Sequence, residues 1–208
     1  MRWVYIAVIV VVFVLLAWFP SPGPVLSGIT ETVTSEAQVP NAVTAILLRN
    51  RLYDTIFEVF VFTLAVLGVQ HYFSQHETEE EIVHLTDPTM VILAHMGAIV
   101  SSLIFVELAL RGHLAPGGGF AAGVAGGTAL CLMTLTSDVH KLHERHRYWR
   151  MAMLEKAIVL LFLFVAGMLF LIPHFTLAIP LMNVLIACKV AIGSWTIVLL
   201  FIRHRGLL

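Results

Sequence analysis

The sequence predicts an all-α integral membrane protein of six transmembrane helices, with both termini on the inner side. Composition is the first reason: of 208 residues, 59% are hydrophobic and only 12% are charged, against about 25% charged in a typical soluble domain. The second is a mean hydropathy of +0.93. The third is that the apolar residues gather into runs long enough to cross a hydrocarbon core, which takes about 20 helical residues. These runs lack the alternation of a transmembrane strand, so helices are the way their backbone satisfies itself in lipid. A soluble enzyme, a disordered chain and a nucleic-acid binder are excluded, because a net charge of −1 offers no basic face to phosphates.

Six runs qualify: 3–19, 55–73, 89–110, 117–136, 152–172 and 180–202. The first follows Arg2 and leads into Trp18-Phe19-Pro20-Ser21-Pro22, which has no small-residue cleavage pattern. It is therefore expected to be an uncleaved anchor rather than a signal peptide. With the N-terminus inside, the inner segments carry Arg2, Lys141, Arg145, Arg147, Arg150, Arg203 and Arg205, and the outer loops carry Arg49, Arg51 and Arg111. Seven against three favours N-in and C-in. The acidic run at 77–81 falls in an inner loop and weighs little, because the rule counts basic residues.

Residues 20–54 form one long outer connection. It is polar and rich in turn formers as far as Pro40-Asn41, and residues 43–49 are then expected to lie in the interface as a short amphipathic helix. The loop 137–150 carries His140, His143 and His146 at every third position. No second cluster completes a coordination sphere, so the expected reading is a basic surface loop near headgroups or a partner rather than a metal site. Cys131 and Cys188 both lie inside apolar runs, which leaves no disulfide or zinc framework.

Ionisable groups inside a span cost about 2.5–3.5 kcal/mol each at the centre and so face protein or a water-filled path. This chain keeps Glu58, His95, Glu107, Glu155, Lys156 and Lys189 within its spans. With a rise of about 1.5 Å per residue, Lys189 lies close to the midplane. Glu58, with Asp54 one turn earlier on the same face, and Glu107 fall on the outer third; Lys156 and His95 fall on the inner third. Titratable groups at graded depth are what proton or sodium conduction requires. Plainer readings compete for several of them. Glu107 can pair with Arg111 at i, i+4, Glu155 and Lys156 can reach headgroups from a helix end, and His95 can be hydrogen-bonded in the core. Glu58 and Lys189 resist such readings, and the in-chain acids expected near Lys189 are Glu58 and Glu107.

The most specific stretch is Gly112-His113-Leu114-Ala115-Pro116-Gly117-Gly118-Gly119-Phe120. Its proline and glycines permit a sharp turn into the fourth span. Gly119, Gly123 and Gly127 then recur every four residues, which lets a neighbouring helix approach closely. No lysine-serine or lysine-threonine pair follows, so this is no phosphate-binding loop. The sequence contains no CxxC, no paired axial histidines and no dinucleotide glycine pattern, so neither a cofactor nor a catalytic site of its own is expected.

That stretch resembles the GHxxPGGGFxGG signature of the MnhB/MrpB-type subunits of multisubunit sodium/proton antiporters, which have relatives in respiratory membrane-bound hydrogenases and sulfane reductases. Ala121 and Ala122 stand where family members often have a longer residue and a glycine. A second stretch, Pro40-Asn41-Ala42-Val43-Thr44-Ala45-Ile46-Leu47 followed by Tyr53-Asp54-Thr55 and Glu58, resembles the PNxVTAIL and YDTxxE segment at the end of the antiporters' large A subunit. The resemblance implies two regions: 1–88, two helices with a long outer loop, and 89–208, a four-helix MnhB-like domain.

It also implies a non-catalytic membrane subunit of a cation/proton antiporter module in the cell membrane, assembled with other membrane subunits in the lipid bilayer and serving sodium ions and protons. The match carries Asp54 and Glu58 across and implies that Glu58 lies on the ion route. With Lys189, Glu107, Lys156, His95 and the motif's His113, these make up the expected ion path. Gly117, Gly118, Gly119, Gly123 and Gly127 make up the expected helix-packing face. The final helix departs from the antiporter B subunits, which carry an acidic residue in a DLGVYLTVVG-like run. Here the run is Cys188-Lys189-Val190-Ala191-Ile192-Gly193-Ser194-Trp195. A carboxylate can coordinate sodium through oxygen and an ammonium cannot, so Lys189 must act differently. The rival expectation is a purely structural assembly subunit. A lone transporter is disfavoured, since no inverted repeat or matched pair of broken helices is visible.

Overall fold

The computed structural model describes residues 25–75, 87–136, 145–172 and 177–203. Among the described residues there are seven α-helices and no strand. They are α1 (Val25–Ala37), α2 (Ala42–Ala45), α3 (Leu52–Ser74), α4 (Pro88–Arg111), α5 (Gly119–Thr136), α6 (Arg145–Leu171) and α7 (Ala178–Arg203), with one π-helical turn, Ile46–Asn50, joining α2 to α3. Helices α3 to α7 are long and apolar enough to cross a membrane, and they match the last five expected spans apart from their ends. The expected first span at 3–19, the acidic run at 77–81, and His140 and His143 lie outside the described residues, as does the side chain of His146.

Helix α7 is the centre of the bundle: 56% of its apolar window is buried, against 11% for α4. It packs on α5, α6, α3 and α4, and α5 also packs along α4. Val59 of α3, Phe162, Val165 and Leu169 of α6, and Met182, Ile186 and Val190 of α7 form one core. At the far end of α5, Trp195 Nε1 donates to Thr134 Oγ1 at 2.8 Å, which gives the buried indole a partner.

The glycines of α5 face α7. A Cβ on Gly119 would meet the Asn183 carbonyl at 2.6 Å and Ile186 Cβ at 2.7 Å. On Gly123 it would collide with Val190 and stand 2.8 Å from the Ala187 carbonyl; on Gly127 it would collide with Ser194. Both sides of the contact repeat every four residues, so the missing side chains let the two backbones approach along several turns. The neighbour is thus a helix of this same chain. The turn ahead of α5 also depends on glycine: Gly117 and Gly118 have φ of 150° and 133°, a region closed to most side chains.

Two parts of the connection ahead of α3 differ from expectation. The stretch expected to be turn-rich contains α1. Its hydroxyl side chains bond back to their own helix, with Thr32 Oγ1 to Gly28 O at 2.9 Å and Thr34 Oγ1 to Thr30 O at 2.9 Å, so their polarity does not compete with it. Val33 and Ala37, one turn apart, supply a buried edge. The helix ends in a Schellman-type turn, with Gln38 at φ 55° and Val39 N donating to Thr34 O at 3.3 Å. The segment 43–49 is helical as expected, but it docks on protein through Thr44, Ala45 and Leu48, all buried.

Candidate functional site

The two sequence motifs meet at one end of the bundle. Asn41 precedes α2 and accepts from the backbone N–H groups of Val43 and Thr44 at 3.1 and 3.4 Å, an N-cap for that short helix. Its amide nitrogen donates to Gly112 O at 2.8 Å and Ala115 O at 2.7 Å, and Thr44 Oγ1 donates to Gly112 O at 2.7 Å. From the other side Asn183, buried on α7, donates to Ala109 O at 2.7 Å and Leu108 O at 3.2 Å. Helix ends leave carbonyls without intrahelical partners, and these amides supply them to the last turn of α4 and the loop after it.

This junction frames a cleft of about 100 Å³ lined by Thr44, Leu47, Thr55, Glu58, residues 117–121, Asn183 and Ile186. Glu58 is exposed and has no hydrogen-bond or ion-pair partner among the described residues. Thr55, one turn's breadth away, is tied down through Oγ1 to Leu47 O at 2.8 Å. The other expected acids are already engaged. Asp54 pairs with Arg51, and Glu107 pairs with Arg111 at 2.7 Å with both side chains 59% exposed. His113 holds a buried Nδ1 without a partner among the described residues. The rest of the lining is mainly apolar, and the Glu58 carboxylate is the charged group of the cleft. Among the described residues no cluster of three or more His, Cys, Asp or Glu is placed to hold a metal.

A second charged site lies at the heart of the bundle. Lys189 is 1% exposed and Glu155 7%, and Lys189 Nζ donates to Glu155 Oε1 at 2.6 Å. The Phe62 ring of α3 covers the ammonium, with Nζ 4.6 Å from its centroid. Phe62 follows Glu58 by one turn on α3. Gly193, one turn past Lys189, makes room for that ring, since a Cβ there would stand 2.6 Å from Phe62 Cε1. This corrects two expectations. The acid beside Lys189 is Glu155, not Glu58 or Glu107, and Glu155 does not reach out to headgroups. The reason is the rotation of α6, which turns Glu155 toward α7 and leaves its neighbour Lys156 exposed.

The remaining expected residues do not join these sites. Lys156 points away from Glu155 and is exposed. His95 is exposed on α4, its Nδ1 bonded to Val91 O at 2.8 Å. Asn41, Thr44, Asn183, Glu155, Phe62 and Gly193 were absent from the expected site. A lone amide inside an apolar run was the available signal for Asn183.

Five helices long and apolar enough to cross a membrane, with an ion pair buried between two of them, define a multi-pass membrane protein. Residues 89–202, more than half of the 208, match the family described as a domain related to the MnhB subunit of Na+/H+ antiporter, and the chain belongs to that family. Its fold is similar to that of a chain in the membrane-bound sulfane sulfur reductase, an archaeal respiratory membrane complex. The TM-score is 0.73, with 22% identity over 98% of this chain and 99% of that one. It is also similar to part of a chain in the Mrp complex from Dietzia sp., with a TM-score of 0.70 and 19% identity. There the whole of this chain corresponds to 26% of the longer one. No curated protein sequence matches the chain.

Proposed function

We propose that this chain is an ion-path subunit of a multisubunit cation/proton antiporter module, either free-standing or built into a respiratory complex of the hydrogenase or sulfane reductase kind. The observation that carries the proposal is Glu58: a carboxylate on a membrane-spanning helix, without a partner among the described residues, at the edge of a cleft built by both family motifs. Such a group costs too much against lipid to be kept without a water-filled path or a partner subunit. Sodium ions and protons are the proposed cargo. Glu58 is the proposed entry group, and the Glu155–Lys189 pair, joined to it along α3 by Phe62, is the deeper station. Asp54, Glu107, Lys156, His95 and His113 are secondary members at most, given the partners and exposure described above.

The proposal includes a sixth span at 3–19 and both termini inside, supported by the distribution of arginine and lysine. The end bearing Asn41, the 112–118 turn and Glu58 then faces outward.

The test is Glu58→Gln, which keeps shape and hydrogen bonding and removes the charge. In inverted membrane vesicles the complex should contain its full set of subunits, while sodium/proton exchange falls to background. Full exchange in that variant would leave the chain a structural assembly subunit.

A further inference from the structure

Asn183 has more hydrogen-bonding capacity than the junction with α4 uses. It is 2% exposed, and its Nδ2 donates to Ala109 O and Leu108 O, so both amide hydrogens are spent on α4. Carbonyl oxygens only accept, which fixes the orientation of the amide and turns Oδ1 the other way. Oδ1 accepts from nothing among the described residues. An amide oxygen this deep is costly to leave unbonded.

That oxygen opens on the Glu58 cleft. Among the described residues His113 Nδ1 is the one sealed side-chain polar atom without a partner. Oδ1, equally unpartnered, therefore keeps contact with the space that Asn183 and Glu58 both line. Gly118 leaves its front clear: a Cβ on that residue would stand 3.9 Å from Oδ1 and meet nothing nearer. The hydroxyls of Thr44 and Thr55 are spent on Gly112 O and Leu47 O, so the donors left in the lining are main-chain. Residues 119–121, the first turn of α5, line the same cleft, and the N–H groups of a first turn have no acceptor within their helix.

This mixture selects the ligand. An acceptor oxygen beside free N–H groups suits a molecule that both donates and accepts, which is water. A bare cation would meet those N–H groups at the positive end of the α5 dipole, and the mainly apolar remainder of the lining gives it few oxygens. An ordered water needs room and two to four polar partners. The cleft of about 100 Å³ supplies both.

We propose that Asn183 is a positioning residue of this cleft: its Oδ1 accepts from an ordered water that links the α7 wall to the Glu58 carboxylate at the cleft's edge. The proposal rests on the ion-path reading of Glu58. It adds to that reading a first polar step inward, on the helix that carries Lys189 six residues further on.

A cryo-electron-microscopy map of the intact complex in lipid nanodiscs, fine enough to resolve water, tests the ligand. Water density is expected about 2.5–3.0 Å from Oδ1, inside the cleft. A directly bound cation, a lipid headgroup, a partner subunit's side chain or no ordered density at that oxygen overturns the proposal, and exchange by Glu58→Gln still decides the role of Glu58 separately. Two variants test the positioning. Asn183→Leu gives up both the oxygen and the donors, whereas Asn183→Asp keeps an oxygen on the cleft and gives up the donors to α4. Per assembled complex, sodium/proton exchange should fall about tenfold in Asn183→Leu, the worth of one hydrogen bond to a charged group, and Asn183→Asp should exchange several times faster than Asn183→Leu. An amide that only held α4 would be missed alike in both, so equal exchange by the two variants overturns the positioning role.

Discussion

Lys189→Met should lower the thermal stability of the purified complex more than any other single change at a polar residue. Methionine nearly fills the volume of the lysine, so packing against Phe62 survives. What is lost is the ammonium, leaving the Glu155 carboxylate 7% exposed with no counter-charge. Removing one partner of a buried pair costs about 3–5 kcal/mol. The double variant Lys189→Met with Glu155→Gln removes both charges and should restore most of the lost unfolding temperature, since an uncharged replacement of a buried pair is often neutral. Thermal unfolding of the four species forms a double-mutant cycle, and additive effects would show that the two residues do not interact. Transport by the double variant then separates two roles. A stable complex that no longer exchanges sodium for protons places the pair on the ion route; normal exchange makes it a structural clamp.

Gly123→Leu should abolish the folded chain. Even the first atom of the new side chain would collide with Val190 and stand 2.8 Å from a backbone carbonyl of α7, and neither can move without parting the two helices. Overpacking a well-filled core costs about 1–3 kcal/mol, and a backbone in the way puts this case at or above the top of that range. The matched control is Gly167→Leu on α6, where nothing lies within 4 Å of the added Cβ. Size-exclusion profiles of the solubilised chain should show a sharp peak for Gly167→Leu and aggregate for Gly123→Leu. Because the glycine face meets α7, the defect should appear in the isolated subunit and not only on assembly with partners. A monodisperse Gly123→Leu chain would overturn the close approach of α5 and α7.

What could be read in the sequence followed from one-dimensional signals. Runs of apolar residues marked α3 to α7, and i, i+4 spacing marked the Glu107–Arg111 pair. The four-residue glycine repeat marked a packing face, though not its partner. What could not be read depends on how helices are turned about their axes. Glu155 and Lys156 are neighbours in sequence, yet one is buried against α7 and the other exposed. Only the rotation of α6 decides which of them meets Lys189. The amides Asn41 and Asn183 were hidden for a related reason: their partners are backbone carbonyls 71 to 75 residues away along the chain, and every residue type has such carbonyls.

The bond from Asn41 to the 112–115 loop has a consequence for assembly. It joins the two motif-bearing regions, and both belong to one polypeptide. Two docking surfaces carried by one chain meet at an effective concentration set by the connection between them and not by their abundance in the cell. Three hydrogen bonds of 2.7 to 2.8 Å, too weak to recruit a free partner from a dilute membrane, therefore suffice to keep this joint closed. The two walls of the Glu58 cleft are made in strict one-to-one ratio at translation, and no competing subunit can occupy one wall without displacing the other half of its own chain.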